Sequence, residues 1–147
     1  MRRLGHNFCR MTPCKHPMKL SMVSIFVADP AKAFRYYTEV LGFEEVMFMP
    51  EAYLAIVKSA GAGEGAVSIL LEPTEPEGIA IARQYKRELY EMGMPVMTFS
   101  AEDIHATTAE LKDRGVVFRK DPKQTSYGYE AVLDDDNGNY LQLIQLT

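Results

Sequence analysis

The chain has 147 residues, 47% hydrophobic and 24% charged, with a formal net charge of −4. That profile describes one ordinary globular domain, large enough to bury a core and still keep a cavity. No basic cluster stands out, which disfavours nucleic acid as a partner; no apolar run nears the ~20 residues of a membrane helix, and two cysteines make no disulfide scaffold.

Residues 1–17 differ in character from the rest of the chain and are expected to form a disordered extension before a domain over 18–147. They hold both cysteines and two of the three histidines, as His6, Cys9, Cys14 and His16. These are zinc ligand types, but they crowd one short segment with little structure to hold them, so no metal is assigned there. The same segment lacks the apolar core of a secretory signal, and a cytoplasmic location is expected.

From Met22 the chain reads MVSIFVA, a β-branched and apolar run of strand length. Asp29 and Pro30 supply an N-cap acceptor and a proline at N1. Ala33, Phe34, Tyr37, Val40 and Leu41 then recur at helical spacing, and Gly42 fits the position that ends a helix. Two short strands are predicted over 44–49 and 52–58, with a turn at Pro50 and Glu51. The glycine-rich loop 59–65 leads into a strand over 66–72, not a helix, so it reads as a hairpin connection and not a phosphate cradle. Pro73 to Gly78 breaks the chain, and 79–92 is an amphipathic helix ended by Gly93 and Pro95.

The second half opens with a strand over 96–101. Ser100 and Asp103 stand at N-cap and N3 of a helix through Leu111, closed by Gly115. Strands come next over 116–119, 129–133 and 140–146, with a turn at 134–138. The three aspartates of that turn lack the spacing of a calcium loop.

The halves repeat. Phe26 to Gly42 and Phe99 to Gly115 are equally long, at an offset of 73 (99 − 26). This register gives two βαβββ modules, an α+β architecture: module one over 18–73, a linker helix over 74–93, module two over 94–147. Strand alternation sends Val23, Ile25 and Val27 under the first helix and Met22, Ser24 and Phe26 to the concave side. In module two, Met97, Phe99 and Ala101 go under the helix, while Val96, Thr98 and Ser100 face inward.

With these residues in view, the chain resembles the vicinal oxygen chelate superfamily, the glyoxalase, bleomycin-resistance and extradiol-dioxygenase group. The resemblance rests on the strand–Asp29–helix–Leu41-Gly42-Phe43 signature, the duplicated order, and Asp136-Asn137-Gly138 before the last strand. It implies a cup-shaped, partly open eight-stranded mixed sheet, commonly completed in a homodimer. Enzymatic members hold a divalent metal with His, Glu or Gln at four inward positions. Here those positions read Met22, Ile69 (Ser68 if the register slips by one), Val96 (Pro95 with a slip) and Gln142. Only Gln142 carries a coordinating group, and a catalytic metal needs about three. No cofactor or metal is therefore expected, and metal-dependent glyoxalase or dioxygenase activity is disfavoured.

The cavity lining expected from this register is Met22, Ser24, Phe26, Tyr53, Ile69, Val96, Thr98, Tyr127, Tyr129 and Gln142. Ser24 and Thr98 offer hydroxyls but have no visible base beside them, so no nucleophile is assigned. Glu72 reads as a solvated rim carboxylate and His105 as a surface residue of the second helix. The expected function is a metal-free small-molecule binding protein of the bleomycin-resistance type that sequesters a drug or metabolite. The absence of tryptophan argues against bleomycin itself. A glyoxalase-like lyase or isomerase with an unorthodox site, and an interaction module with a filled core, are the alternatives. The expected partners are an unidentified small molecule and a second copy of the chain, with neither nucleic acid nor membrane.

Overall fold

The computed structural model describes residues 15–75 and 79–147. The extension expected over 1–17, with His6, Cys9 and Cys14, falls almost wholly outside the described residues; His16 is exposed. In chain order the elements are β1 (Met22–Val27), α1 (Pro30–Arg35) running into a π-helical turn (Tyr36–Val40), β2 (Glu44–Met49), β3 (Leu54–Lys58) and β4 (Ser68–Pro73). Next come α2 (Ala80–Met92), β5 (Pro95–Ser100), α3 (Ile104–Asp113), β6 (Phe118–Thr125), β7 (Gly128–Asp134) and β8 (Tyr140–Leu146).

An aspartate opens each module's helix. Asp29 Oδ1 accepts from the Ala31 and Lys32 amides at 2.8 and 3.1 Å. Asp103 Oδ1 accepts from the His105 and Ala106 amides, both at 3.0 Å. Each carboxylate thereby satisfies donors that have no partner inside the helix. Asp103, not Ser100, is thus the cap of α3.

The eight strands divide equally between two sheets, ordered β1-β4-β3-β2 and β5-β8-β7-β6. In each, the first strand runs parallel to the last and the other pairings are antiparallel. The helix-bearing sides share one core. Ile25, Val27, Ala33, Phe34, Tyr37, Ala55, Val57, Ile69 and Leu71 of module one cluster with Val116, Leu133 and Leu141 of module two. Each large side chain so buried contributes roughly 1.5–3 kcal/mol. Phe34 stacks on Phe48 across α1 and β2, with ring centroids 4.2 Å apart.

One polar hub interrupts this core. Asp135 is fully buried and its two oxygens take four donors. The Asn137 and Asn139 amides reach Oδ1 at 2.9 and 2.8 Å; the Tyr37 hydroxyl and the Asn139 side-chain amide reach Oδ2 at 3.0 and 2.9 Å. Asn139 Nδ2 also donates to the Phe26 carbonyl at 3.0 Å. The turn expected as a simple hairpin therefore stitches module two to β1 and to the first helix. Burial pushes the Asp135 carboxyl above its usual range, although the donors pull the other way. Burial and the Asp135 charge together hold the Tyr37 hydroxyl well above the ordinary phenol value.

The repeat is not a single register. The caps lie 74 positions apart (103 − 29), whereas Gly42 and Gly115, both left-handed at φ 80° and 87°, lie 73 apart (115 − 42). Module one's helix holds one extra residue, and the π turn absorbs it through the Leu41 amide bonding the Tyr36 carbonyl at 3.0 Å. In the last strands the shift runs the other way. Ile69 pairs with Val23, while Leu141 pairs with Met97, so these two equivalents are 72 apart (141 − 69).

Candidate functional site

Away from the helices, each sheet has an open face whose residues are set by the pairing register. On module one it carries Met22, Ser24 and Phe26 of β1 beside Ser68, Leu70 and Glu72 of β4, then Ile56 and Lys58 of β3 and Met47 of β2. Met22, Met47 and Met49 are 43%, 42% and 42% exposed, a soft apolar surface.

Three expected lining residues do not lie there. Ile69 is 4% exposed and packs beside Val23 in the helix-side core. The position next to Met22 belongs to Ser68, because a one-residue slip turns a strand's side chains to the other face. Tyr129 likewise faces α3, packing on the Ile104–Ala131–Leu143 cluster with its ring edge-on to His105 at 5.2 Å. Tyr53 sits on no strand. It occupies a left-handed position (φ 51°) after a short 3₁₀ turn and projects into solvent.

Apart from Met22, the remaining residues form two groups. Ser24, Phe26 and Val96 share a cavity of about 200 Å³ with Tyr85 and Lys86 of α2 and with Asn139. Val96 falls at an irregularity in the β5–β8 pairing and also packs on the shared core. The linker helix is fixed over module two by Tyr90, which stacks on Tyr140 at 4.5 Å and donates to Asp134 at 2.5 Å. Arg119 lies over the Tyr140 ring, 5.0 Å from its centroid.

The second group is a hydrogen-bonded row across the open face of module two. Thr98 on β5 and Gln142 on β8 are direct cross-strand partners, and Thr98 Oγ1 donates to Gln142 Oε1 at 3.0 Å. Gln142 Nε2 donates to Glu130 Oε2 on β7 at 3.2 Å, and the Tyr127 hydroxyl donates to the same oxygen at 2.5 Å. That bond to Glu130 raises the Tyr127 hydroxyl above its ordinary value. Glu130 was not among the expected site residues. Its signal was the alternation of β7: once Tyr129 faces the helix, Glu130 faces out.

Two further cavities hold none of the expected residues. An apolar one of about 390 Å³ lies on the helix side, between residues 41–43 and α3, above Phe99, Leu141 and Leu143. A polar one of about 460 Å³ is lined by Tyr36, Tyr90, Asp134 and Asp136. There the Tyr36 hydroxyl is pushed up to about 12 by burial and by the neighbouring aspartates.

The donor set does not fit a divalent metal. The open faces offer a thioether at Met22, a hydroxyl at Ser68, an amide at Gln142 and two carboxylates on different modules, Glu72 and Glu130, the latter already accepting two hydrogen bonds. Among the described residues no three His, Cys, Asp or Glu side chains converge. His105 lies on the helix side, against Tyr129. Thr98 has an amide, not a base, at its hydroxyl, so it forms no nucleophile–base pair.

Residues 19–143 match the model of the Glyoxalase/Bleomycin resistance protein/Dioxygenase superfamily. The chain belongs to that superfamily. It is 33% identical over 131 residues to the uncharacterized protein YurT of Bacillus subtilis (strain 168), covering 87% of this chain and 99% of that one. Among solved structures it is similar to UcmS2, at 30% identity and a TM-score of 0.72, with 87% of this chain and 98% of that one covered. It is also similar to TnmS3, an antibiotic binding protein from Streptomyces sp. CB03234, at 25% identity and a TM-score of 0.68, with 89% and 98% covered. No helix among the described residues is long and apolar enough to cross a membrane.

Proposed function

We propose that the chain is a binding protein for a small organic molecule, which it holds on the open sheet faces without transforming it and without a metal. The observation that carries this reading is the row Thr98–Gln142–Glu130–Tyr127. It is a set of polar groups fixed in place on the sheet face turned away from α3, with no activated nucleophile beside it. Similarity to an antibiotic binding protein supports the same reading at family level.

A second copy of the chain completes the site. Met22, Met47 and Met49 are too exposed for a finished surface, and apolar patches of this kind mark interfaces or ligand grooves. Residues 18–147 act as one domain in this assembly, in the cytoplasm.

The test is a thermal-shift panel of antibiotics, aromatic metabolites and divalent cations, with mass spectrometry of the recovered ligand. A true ligand at a hundred times its dissociation constant stabilises by ~2.7 kcal/mol and is recovered unchanged. A panel without a hit, or a ligand returned as a product, refutes the reading; stoichiometric metal binding refutes its metal-free part.

A further inference from the structure

Resting on that reading, we propose that the open face of module two selects ligands bearing a protonated amine, and that Glu130 is the residue that selects them. The row has a direction. An ionised carboxylate only accepts, so the Gln142 group facing Glu130 must be its amide nitrogen. The amide oxygen then points at Thr98, which must donate. Tyr127 must donate as well. Every proton in the row is directed toward Glu130, and both bonds land on Oε2.

What is left for a ligand is acceptor capacity. Glu130 Oε1 takes no part in the row, and the Thr98 oxygen keeps its lone pairs while its proton is engaged. A ligand carboxylate or phosphate placed here meets a like charge. A ligand N–H meets an acceptor already held in position by two neighbours, and a charged donor gains most from it. The Tyr127 ring, 44% exposed, is tied through its hydroxyl to the same carboxylate, and an aromatic ring near a bound cation adds attraction. Lys123 is the cross-strand neighbour of Glu130 and Lys120 that of Val132, but among the ion pairs of the described residues neither ammonium bridges to Glu130. Both lysines are exposed and can swing away as a cationic ligand enters.

The experiment is a fluorescence titration of the full chain with two three-ring probes of similar size. One is 9-aminoacridine, a cation at neutral pH; the other is anthracene-9-carboxylate, an anion. Wild-type protein is expected to bind the cation at least about tenfold more tightly, the effect of one charge-assisted hydrogen bond. Glu130→Gln, which keeps the shape, is expected to abolish that preference. Lys123→Met is expected to increase it, and Glu110→Gln, on α3, to leave it unchanged. Far-ultraviolet circular dichroism confirms that each variant is folded. Should Glu130→Gln not fold, the rise on Lys123→Met and the collapse of the preference at high salt carry the test.

Equal affinity for the two probes, or a preference that survives Glu130→Gln, overturns the selection by Glu130 while leaving the binding reading intact. Binding of neither probe overturns the assigned ligand class. The binding reading itself falls if the wider panel also yields nothing or returns its ligand as a product.

Discussion

Module one presents Met22, Met47 and Leu70 on the face where module two presents Thr98, Gln142 and Glu130. Behind both faces the strands carry the same kind of apolar residue into one shared core. The contrast shows which half of a duplicated module is constrained. The helix side must pack against its twin, so its side chains are held to apolar types of matching volume. The open side is freer of that constraint, and a soft patch in one module can stand on the face that carries a polar row in the other.

The sharpest way to break this contrast uses two adjacent residues. Ile69→Glu places an unpaired charge in the shared core and is expected to destabilise by more than about 4 kcal/mol in urea denaturation. Ser68→Glu, one position away, is expected to stay within about 1 kcal/mol of wild type. Comparable destabilisation by both would show that the two sides are not separate.

Next is the hub joining the modules. Asp135→Ala leaves the Tyr37 hydroxyl and one N–H of the Asn139 side chain buried without an acceptor, an expected loss of about 3 kcal/mol. The pH dependence has a definite sign. A carboxyl whose folded value is raised binds more protons when folded, so its contribution is full below the unfolded value and is lost as pH rises through the folded one. Wild type should therefore gain stability relative to Asp135→Asn as pH falls from 7 toward 4. A constant difference across that range would remove burial as the dominant influence on this group.

The glycines that end the two helices make a finer comparison. Gly115→Ala meets open space and is expected to cost only the left-handed backbone, roughly 1–2 kcal/mol. Gly42→Ala adds a Cβ 3.4 Å from Arg114, whose guanidinium bonds the Val40 carbonyl, and is expected to cost more. Equal losses would mean that Arg114 yields freely. The smallest effect belongs to Met22→Glu. It is expected to change protomer stability by less than about 0.5 kcal/mol yet shift the chain to monomer in light scattering. An unchanged assembly, or a wild-type chain that is already monomeric, would overturn the proposed dimer contact at Met22.

Much of the fold was legible because its signals are local. Asp29 with Pro30, Gly42, Gly115 and the order of the elements are read without knowing what touches what. The face assignment of Ile69 failed for a geometric reason. A strand's period is two, so one fixed offset between modules fails wherever the repeat gains or loses a residue. The π turn makes one such change and leaves no mark in composition. Glu130 escaped because a carboxylate on a strand looks like a solvated one; its meaning lies in Gln142, Thr98 and Tyr127, which reach it from other positions in the sheet.

The chain has eight tyrosines and no tryptophan, so its intrinsic emission comes from phenol rings alone. Two of those rings, Tyr90 and Tyr140, lie stacked face to face. Another, Tyr127, donates a hydrogen bond to Glu130, and a phenol bonded to a carboxylate is strongly quenched. A ligand that draws Glu130 away should release that quenching, while the stacked pair stays as a steady background. The residue that steadies the site is also an optical label for it, readable without a dye.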